Sequence, residues 1–381
     1  MTKIYVTAGE PSGDLFGAEV VDALRAVDQD LEIRSAGGGE LRARTDAAPI
    51  DISPLNVLGV WEGVKAFGDV RRISRDIAND ILSYGPDLVV LVDSWGLSLR
   101  VARQVRAKNP AIKLVKLVGP QVWATRPGRA RTLAGAVDHL MCLHHFEVPF
   151  YEPHGLDVTV VGLPALSRRD RQNPDRFRAD YDLDPNEDVL LLLPGSRASE
   201  ISRMGEALVK TGRVLSRSYP ELRTVVVPSG NVLAQFNAAF PDLPDDWIVL
   251  QDEERRYEAM AAARLALCCS GTVTTELAVQ GAPFITGYRI GSISWVIIKY
   301  ALMKSKFITL LNVAAGKMIA PEFLQGEFNA EQLAGSADRL LADQRLLAQQ
   351  VADQDDALKK MGHGGEPAPD IAARTILKLL A

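Results

Sequence analysis

The residues best placed to do chemistry are polar groups that directly follow short apolar runs. Asp93 ends the run 87–93 and is followed by Ser94, Trp95 and Gly96. A carboxylate there, beside a glycine turn, is suited to take a proton from a sugar hydroxyl; the competing reading is a helix N-cap. The first apolar run leads into Thr7-Ala8-Gly9-Glu10-Pro11-Ser12-Gly13-Asp14. Gly9 and Gly13 permit a tight turn with close backbone approach. Ser12 or Asp14 would cap the following helix, whose start would favour an anion or a hydrogen-bonding sugar. The spacing is not G-x-G-x-x-G, which argues against a dinucleotide. A third run leads into residues 119–126, where Trp123 offers a flat face for a sugar or acyl chain and Arg126 a charge. A core aromatic is the alternative for Trp123.

Two turns in the second half suit a diphosphate. Pro194-Gly195-Ser196-Arg197 presents backbone N–H groups at a helix start and adds a bidentate cation; the alternative is a surface Arg197–Glu200 pair. Ser270-Gly271-Thr272 repeats the arrangement. Glu276, one helical turn later, would grip ribose hydroxyls or simply face water. The tract from Gly287-Tyr288-Arg289 to Asn312 interleaves Trp295, Tyr300 and Phe307 with Lys299, Lys304 and Lys306. Such a mixture fits nucleic acid, an anionic membrane surface, an acyl-phosphate substrate, or an amphipathic helix whose lysines face water. Residues 57–73 include Trp61 and Phe67, with Arg71, Arg72 and Arg75 at the end. They fit either an interfacial helix or ordinary core packing.

These positions need strands to hold them. Apolar runs at 4–6, 88–92, 114–118, 137–143 and 158–161 alternate with helical periodicity such as that of 18–27, which implies a parallel, doubly wound sheet. A second series runs through 189–193, 224–227, 248–250, 265–269 and 284–286, and helices are expected over 330–353 and 371–380. The charged stretch around Pro174 reads as a linker. The expected organisation is therefore a Rossmann-like acceptor and membrane-side domain (1–166), a linker (167–184), a Rossmann-like donor domain (185–355) and a C-terminal helical segment (356–381). Ligands of such sheets bind at the carboxyl ends of the strands, so two facing sheets would place them in a central cleft.

With 381 residues, the chain exceeds one comfortable core. A net charge of −5 argues against a globally basic nucleic-acid binder. Three cysteines, none in a C-x-x-C pair, fit buried thiols in a reducing compartment, and the five histidines lack metal-ligand spacing. No metal is expected. No signal peptide is read at the start, and no apolar run approaches the ~20 residues that span a bilayer. The longest, around 292–303, is interrupted by Lys299. A soluble or peripheral protein is expected.

Taken together, these motifs resemble the lipid-A-disaccharide synthase family. The resemblance rests on Gly9 to Asp14, Val92-Asp93-Ser94, Val122-Trp123-Ala124, Leu193 to Arg197, Ser270-Gly271-Thr272 with Glu276, and Gly287-Tyr288-Arg289. Asn312 to Lys317 and Pro321 to Gln325 complete it, in family order over nearly the whole chain. It implies an α/β GT-B fold and inverting transfer from UDP-2,3-diacylglucosamine to 2,3-diacylglucosamine 1-phosphate, with no cofactor. Asp93 would be the base on the acceptor 6-hydroxyl, with Glu10 and Ser12 beside it. Gly195, Ser196, Arg197, Ser270, Gly271, Thr272, Glu276, Tyr288, Arg289 and Asn312 would serve the donor. Trp61, Phe67, Arg71, Arg72, Trp123 and Arg126 would serve the acceptor or the cytoplasmic face of the inner membrane; a homodimer is the assembly kept open. The chain departs from the family pattern where Trp95-Gly96-Leu97-Ser98 lacks a second acid, where Leu163 replaces a histidine, and where no proline precedes Asn312. Two other readings are a divergent UDP-sugar transferase or epimerase with another acceptor, and a paralogue that binds without turnover.

Overall fold

The computed structural model describes residues 1–52, 63–166, 170–184, 187–252, 255–290 and 305–381; side chains at 63–67 and 231 are not described. The chain divides into two compact units, one of Met1–Ser167 with Met361–Ala381 and one of Arg168–Lys360. Each unit is built on a six-stranded parallel sheet.

In the N-terminal unit the strands are β1 (Lys3–Ala8), β2 (Glu32–Ala36), β3 (Leu88–Val92), β4 (Lys113–Leu117), β5 (His139–Cys142) and β6 (Asp157–Val160). They lie in the order β2-β1-β3-β4-β5-β6. Every residue of β3 is buried, as a run of Val and Leu in a strand covered on both faces requires. Helices α1 (Pro11–Val27), α2 (Gly39–Arg44), α3 (Gly63–Tyr84) and α4 (Trp95–Lys108) cover this sheet. Helix α1 begins at Pro11, seven residues before the periodicity expected over 18–27. Pro11 occupies the first turn, where its missing N–H costs nothing, and Gly13 and Gly17 lie on the buried face.

In the C-terminal unit, β7 (Asp188–Leu193), β8 (Leu222–Val226), β9 (Ile248–Val249), β10 (Ala263–Cys269), β11 (Phe284–Tyr288) and β12 (Glu322–Leu324) are ordered β12-β11-β10-β7-β8-β9. The stretch expected as a linker instead packs within this unit. Asp175–Asp180 is helical, Phe177 is buried against Tyr181, and the Arg171 Nε donates to the Gln280 carbonyl at 3.0 Å. The helix expected over 330–353 is two helices, Ala330–Leu341 and Gln344–Lys360. Asp343 interrupts it, its carboxylate accepting from the Arg345 N–H at 2.9 Å. The helix Ala368–Leu380 returns to the N-terminal unit and packs on α1, burying Ala368, Ala372, Ala373 and Ile376 in that core. No described helix is long and apolar enough to cross a membrane.

Candidate active site

In the N-terminal unit, strand register sets a polar edge. Ala8 pairs with Val92, and Val92 with Leu117, so β1, β3 and β4 end level with one another. The residues that follow them, Gly9-Glu10, Asp93-Ser94 and Val118-Gly119, therefore share one edge. Two glycines allow the close approach. A Cβ on Gly9 would lie 2.7 Å from Ser94 Oγ and 2.8 Å from a Leu97 methyl, and one on Gly13 would lie 3.3 Å from the Asp93 Cβ. The same edge concentrates left-handed backbone: Asp93 and Ser94 both have φ near 43°, and Val118 has φ 68°. Left-handed conformations at non-glycine residues cost about 1–3 kcal/mol each and mark positions held by their surroundings.

Asp93 is half-buried, and Ser94 rather than Asp93 takes the N-cap position of α4, without a side-chain capping bond. The helix-cap reading of Asp93 therefore falls away. Glu10 faces it. Partial burial and the Asp93 charge raise the Glu10 carboxyl above its usual range, while a hydrogen bond from Ser94 and the Lys116 charge oppose that shift. Ser12 is exposed in the first turn of α1. Asp14 caps a different helix: its carboxylate accepts from the N–H groups of Gly38 (2.6 Å), Glu40 (2.9 Å) and Leu41 (3.4 Å) at the start of α2.

Beneath this edge lies Lys116, which the sequence motifs do not single out. It is 1% exposed. Its Nζ donates to the carbonyl oxygens of Asp93, Leu91 (3.1 Å) and Leu117 (3.3 Å), and lies 3.3 Å from Ser98 Oγ. Ser98 Oγ also donates to the Asp93 carbonyl at 2.6 Å. Burial pushes the ammonium down to about 7, against the pull of Asp93 and Glu10. A lysine inside a strand buried on both faces was the available signal, since such strands hold no charge without a partner.

The C-terminal unit holds a cavity of about 310 Å³. Register again explains it, since β7, β10 and β11 end together through the pairs Leu193–Cys268 and Cys269–Gly287. Gly195, Ser196, Arg197, Ser270, Gly271, Thr272, Glu276 and Tyr288 all line it. Gly195 has φ 115°, and a Cβ there would lie 2.5 Å from Glu200 Oε2. That carboxylate accepts from the Ser196 N–H at 2.8 Å. The Arg197–Glu200 pair is present at 3.4 Å, but the Arg197 side chain is 73% exposed. An exposed pair of that length adds little. Glu276 is paired with Arg256 and accepts from the Tyr257 hydroxyl at 3.3 Å. Arg256, a lining residue that sequence reasoning missed, follows the end of β9 as the other lining residues follow theirs.

Two donor candidates lie elsewhere in the unit. Arg289 donates to the carbonyls of Gln325 (2.8 Å) and Arg203 (3.4 Å) and does not line the cavity. Asn312 is fully buried. Its amide donates to the Ala320 carbonyl (2.9 Å) and Glu322 Oε1 (2.7 Å) and accepts from the N–H groups of Ile319 (2.8 Å) and Ala320 (3.0 Å). It ties the segment 312–322 together. In the N-terminal unit, Trp123 is half-buried with its ring edge-to-face on Phe146 at 5.3 Å. Arg126 is exposed with φ 50°. Arg71, Arg72 and Arg75 on α3 line a groove with Arg100 and Arg103 on α4. Trp61, Trp295, Lys299, Tyr300 and Lys304 lie outside the described residues, and the Phe67 side chain is not described.

A family model described as lipid-A-disaccharide synthetase matches residues 4–376. The lipid-A-disaccharide synthase of Gluconobacter oxydans is 34% identical over 383 residues, covering 99% of this chain and 90% of the relative. That of Rhodospirillum centenum is 31% identical over 379 residues, covering 99% and 94%. Among solved structures, a putative UDP-N-acetylglucosamine 2-epimerase from Listeria monocytogenes superposes with a TM-score of 0.61 at 14% identity, covering 98% of this chain and 94% of that one. The UDP-GlcNAc 2-epimerase from Neisseria meningitidis, bound to UDP-GlcNAc, gives 0.57 at 13%, covering 100% and 99%. These likenesses establish a GT-B-like fold and carry no chemistry across, so an epimerase reading is not favoured. The whole-length family match decides the identity: this chain belongs to the lipid-A-disaccharide synthase family and is a glycosyltransferase of lipid A synthesis.

Proposed function

We propose that the chain transfers the sugar of UDP-2,3-diacylglucosamine to the 6-hydroxyl of 2,3-diacylglucosamine 1-phosphate, with inversion, releasing UDP. The observation that carries this is the convergence of two glycine turns, Arg197 and Glu276 on one cavity. N–H groups at the helix start Thr272–Val279 and the Arg197 guanidinium would hold the diphosphate, and Glu276 with Arg256 the ribose. As the acceptor oxygen bonds to the anomeric carbon, its proton passes to Asp93. The bond from that carbon to the diphosphate oxygen breaks, and UDP leaves with the electron pair. The cationic grip stabilises the charge growing on the leaving group, a role that needs no metal. Glu10 and Ser12 would assist on the acceptor side, and the arginine groove on α3 and α4 meets the anionic face of the inner membrane.

Incubating the protein with both acylated substrates, followed by mass spectrometry, tests the assignment. Wild type is expected to yield the disaccharide 1-phosphate and UDP. Asp93→Asn should lower turnover by at least ~10²-fold, the low end for positioned acid–base catalysis. Near-wild-type turnover in that variant removes Asp93 as the base.

A further inference from the structure

We propose that Lys116 is a positioning residue for Asp93, a role that rests on Asp93 being the base. Its ammonium tethers the left-handed turn after β3 from below.

Geometry supports the tether. The Asp93 carbonyl receives both the Lys116 ammonium and the Ser98 hydroxyl, and the Lys116 Nζ also reaches the carbonyls of Leu91 and Leu117. These oxygens lie on β3, β4 and the turn into α4, so one buried cation joins the strand ends that define the acceptor edge. Asp93 and Ser94 sit in a conformation that non-glycine residues avoid, which persists only where neighbours over-determine it. Burying an ammonium costs several kcal/mol unless it is paired and hydrogen-bonded. Core packing would have been served as well by methionine, which fills the same volume without that cost.

Steady-state kinetics of Lys116→Met provide the test, with thermal melting alongside. The variant is expected to lose between about 10- and 100-fold in kcat, the scale of a small misplacement of a catalytic group, with donor KM unchanged. Lys116→Gln, which keeps N–H donors to the same carbonyls, should lose less kcat than the methionine variant; it also serves if the methionine variant does not fold. Unchanged turnover in the folded methionine variant, or no rescue by glutamine where both variants fold, would overturn the proposal. Combining Lys116→Met with Asp93→Asn separates the two readings. If Lys116 acts through Asp93, the double variant is no slower than Asp93→Asn; an equal further loss there refutes the proposal while leaving Asp93 as the base. Full activity of Asp93→Asn alone removes the base assignment, and the Lys116 role with it.

Discussion

Arg197 stands at the rim of the donor cavity with its side chain 73% exposed, 3.4 Å from Glu200. Glu200 is itself engaged by the Ser196 N–H, so the guanidinium can turn toward a diphosphate without leaving a buried charge unpaired. Arg197→Ala is therefore expected to weaken UDP binding, measured by calorimetry, between about tenfold and about a hundredfold, the worth of a charge-assisted hydrogen bond of about 1.5–3 kcal/mol. Melting should stay within about 0.5 kcal/mol of wild type, as for other surface changes. Unchanged affinity would remove Arg197 from the donor site. At this scale the sequence was most readable where a polar residue follows an apolar run, because strand ends and turns announce themselves in composition. Asp93, Gly195 and Ser270 each stand within two residues of a strand end, where that pattern places them. Lys116 escapes that pattern, since it interrupts β4 from within and looks like one more alternating polar residue until the strand is known to be covered on both faces. For Asn312 and Arg289 a motif marks the residue but does not say whether it touches a ligand or holds the backbone that does.

Elements were legible in type more than in extent. Helix α1 begins at Pro11 because a proline suits the first turn, yet periodicity is visible only from 18 onward, beyond two glycines that serve close approach. The last helix was visible as a helix, but its partner was not. Ala368–Leu380 packs into the N-terminal core through Ala368, Ala372, Ala373 and Ile376, whereas the preceding helix, Gln344–Lys360, belongs to the C-terminal unit. Nothing in an amphipathic pattern names the surface it will cover. Ile376 is fully buried, so Ile376→Ala should cost about 2–5 kcal/mol, the range for truncating a core aliphatic. Chemical denaturation would measure it. UDP affinity at room temperature should be unchanged, because the donor cavity is lined by the other unit. A variant as stable as wild type would mean that the helix contributes no packing there.

At the scale of the whole molecule, alternating strands and helices reveal two parallel sheets, while the composition of the passage between them does not show where it packs. The charged stretch around Pro174 has a linker's composition, but Phe177 anchors it in the C-terminal unit and Asp180 pairs with Arg255 at 2.7 Å; one buried aromatic outweighs many charges in deciding where a segment packs. Charge distribution also matters at this scale. Formal net charge is −5, yet Arg71, Arg72 and Arg75 gather with Arg100 and Arg103 along one groove. Arg72 and Arg75 are only partly offset by Asp69 and Asp76, at 3.2–3.9 Å. On the buried side, Ile73, Ile77 and Ile81 of α3 belong to the core, so this part of the helix packs, and the proposed membrane contact rests on the arginines. Each basic residue near an anionic surface is worth about 1 kcal/mol. Replacing Arg71, Arg72 and Arg75 together with glutamine should then lower binding to phosphatidylglycerol-containing vesicles about a hundredfold at low salt. The difference should shrink as ionic strength shortens the screening length to about 8 Å. Sedimentation with neutral vesicles should show no such difference between the proteins. Equal sedimentation of both with anionic vesicles would leave α3 as a packing helix and move the membrane contact elsewhere.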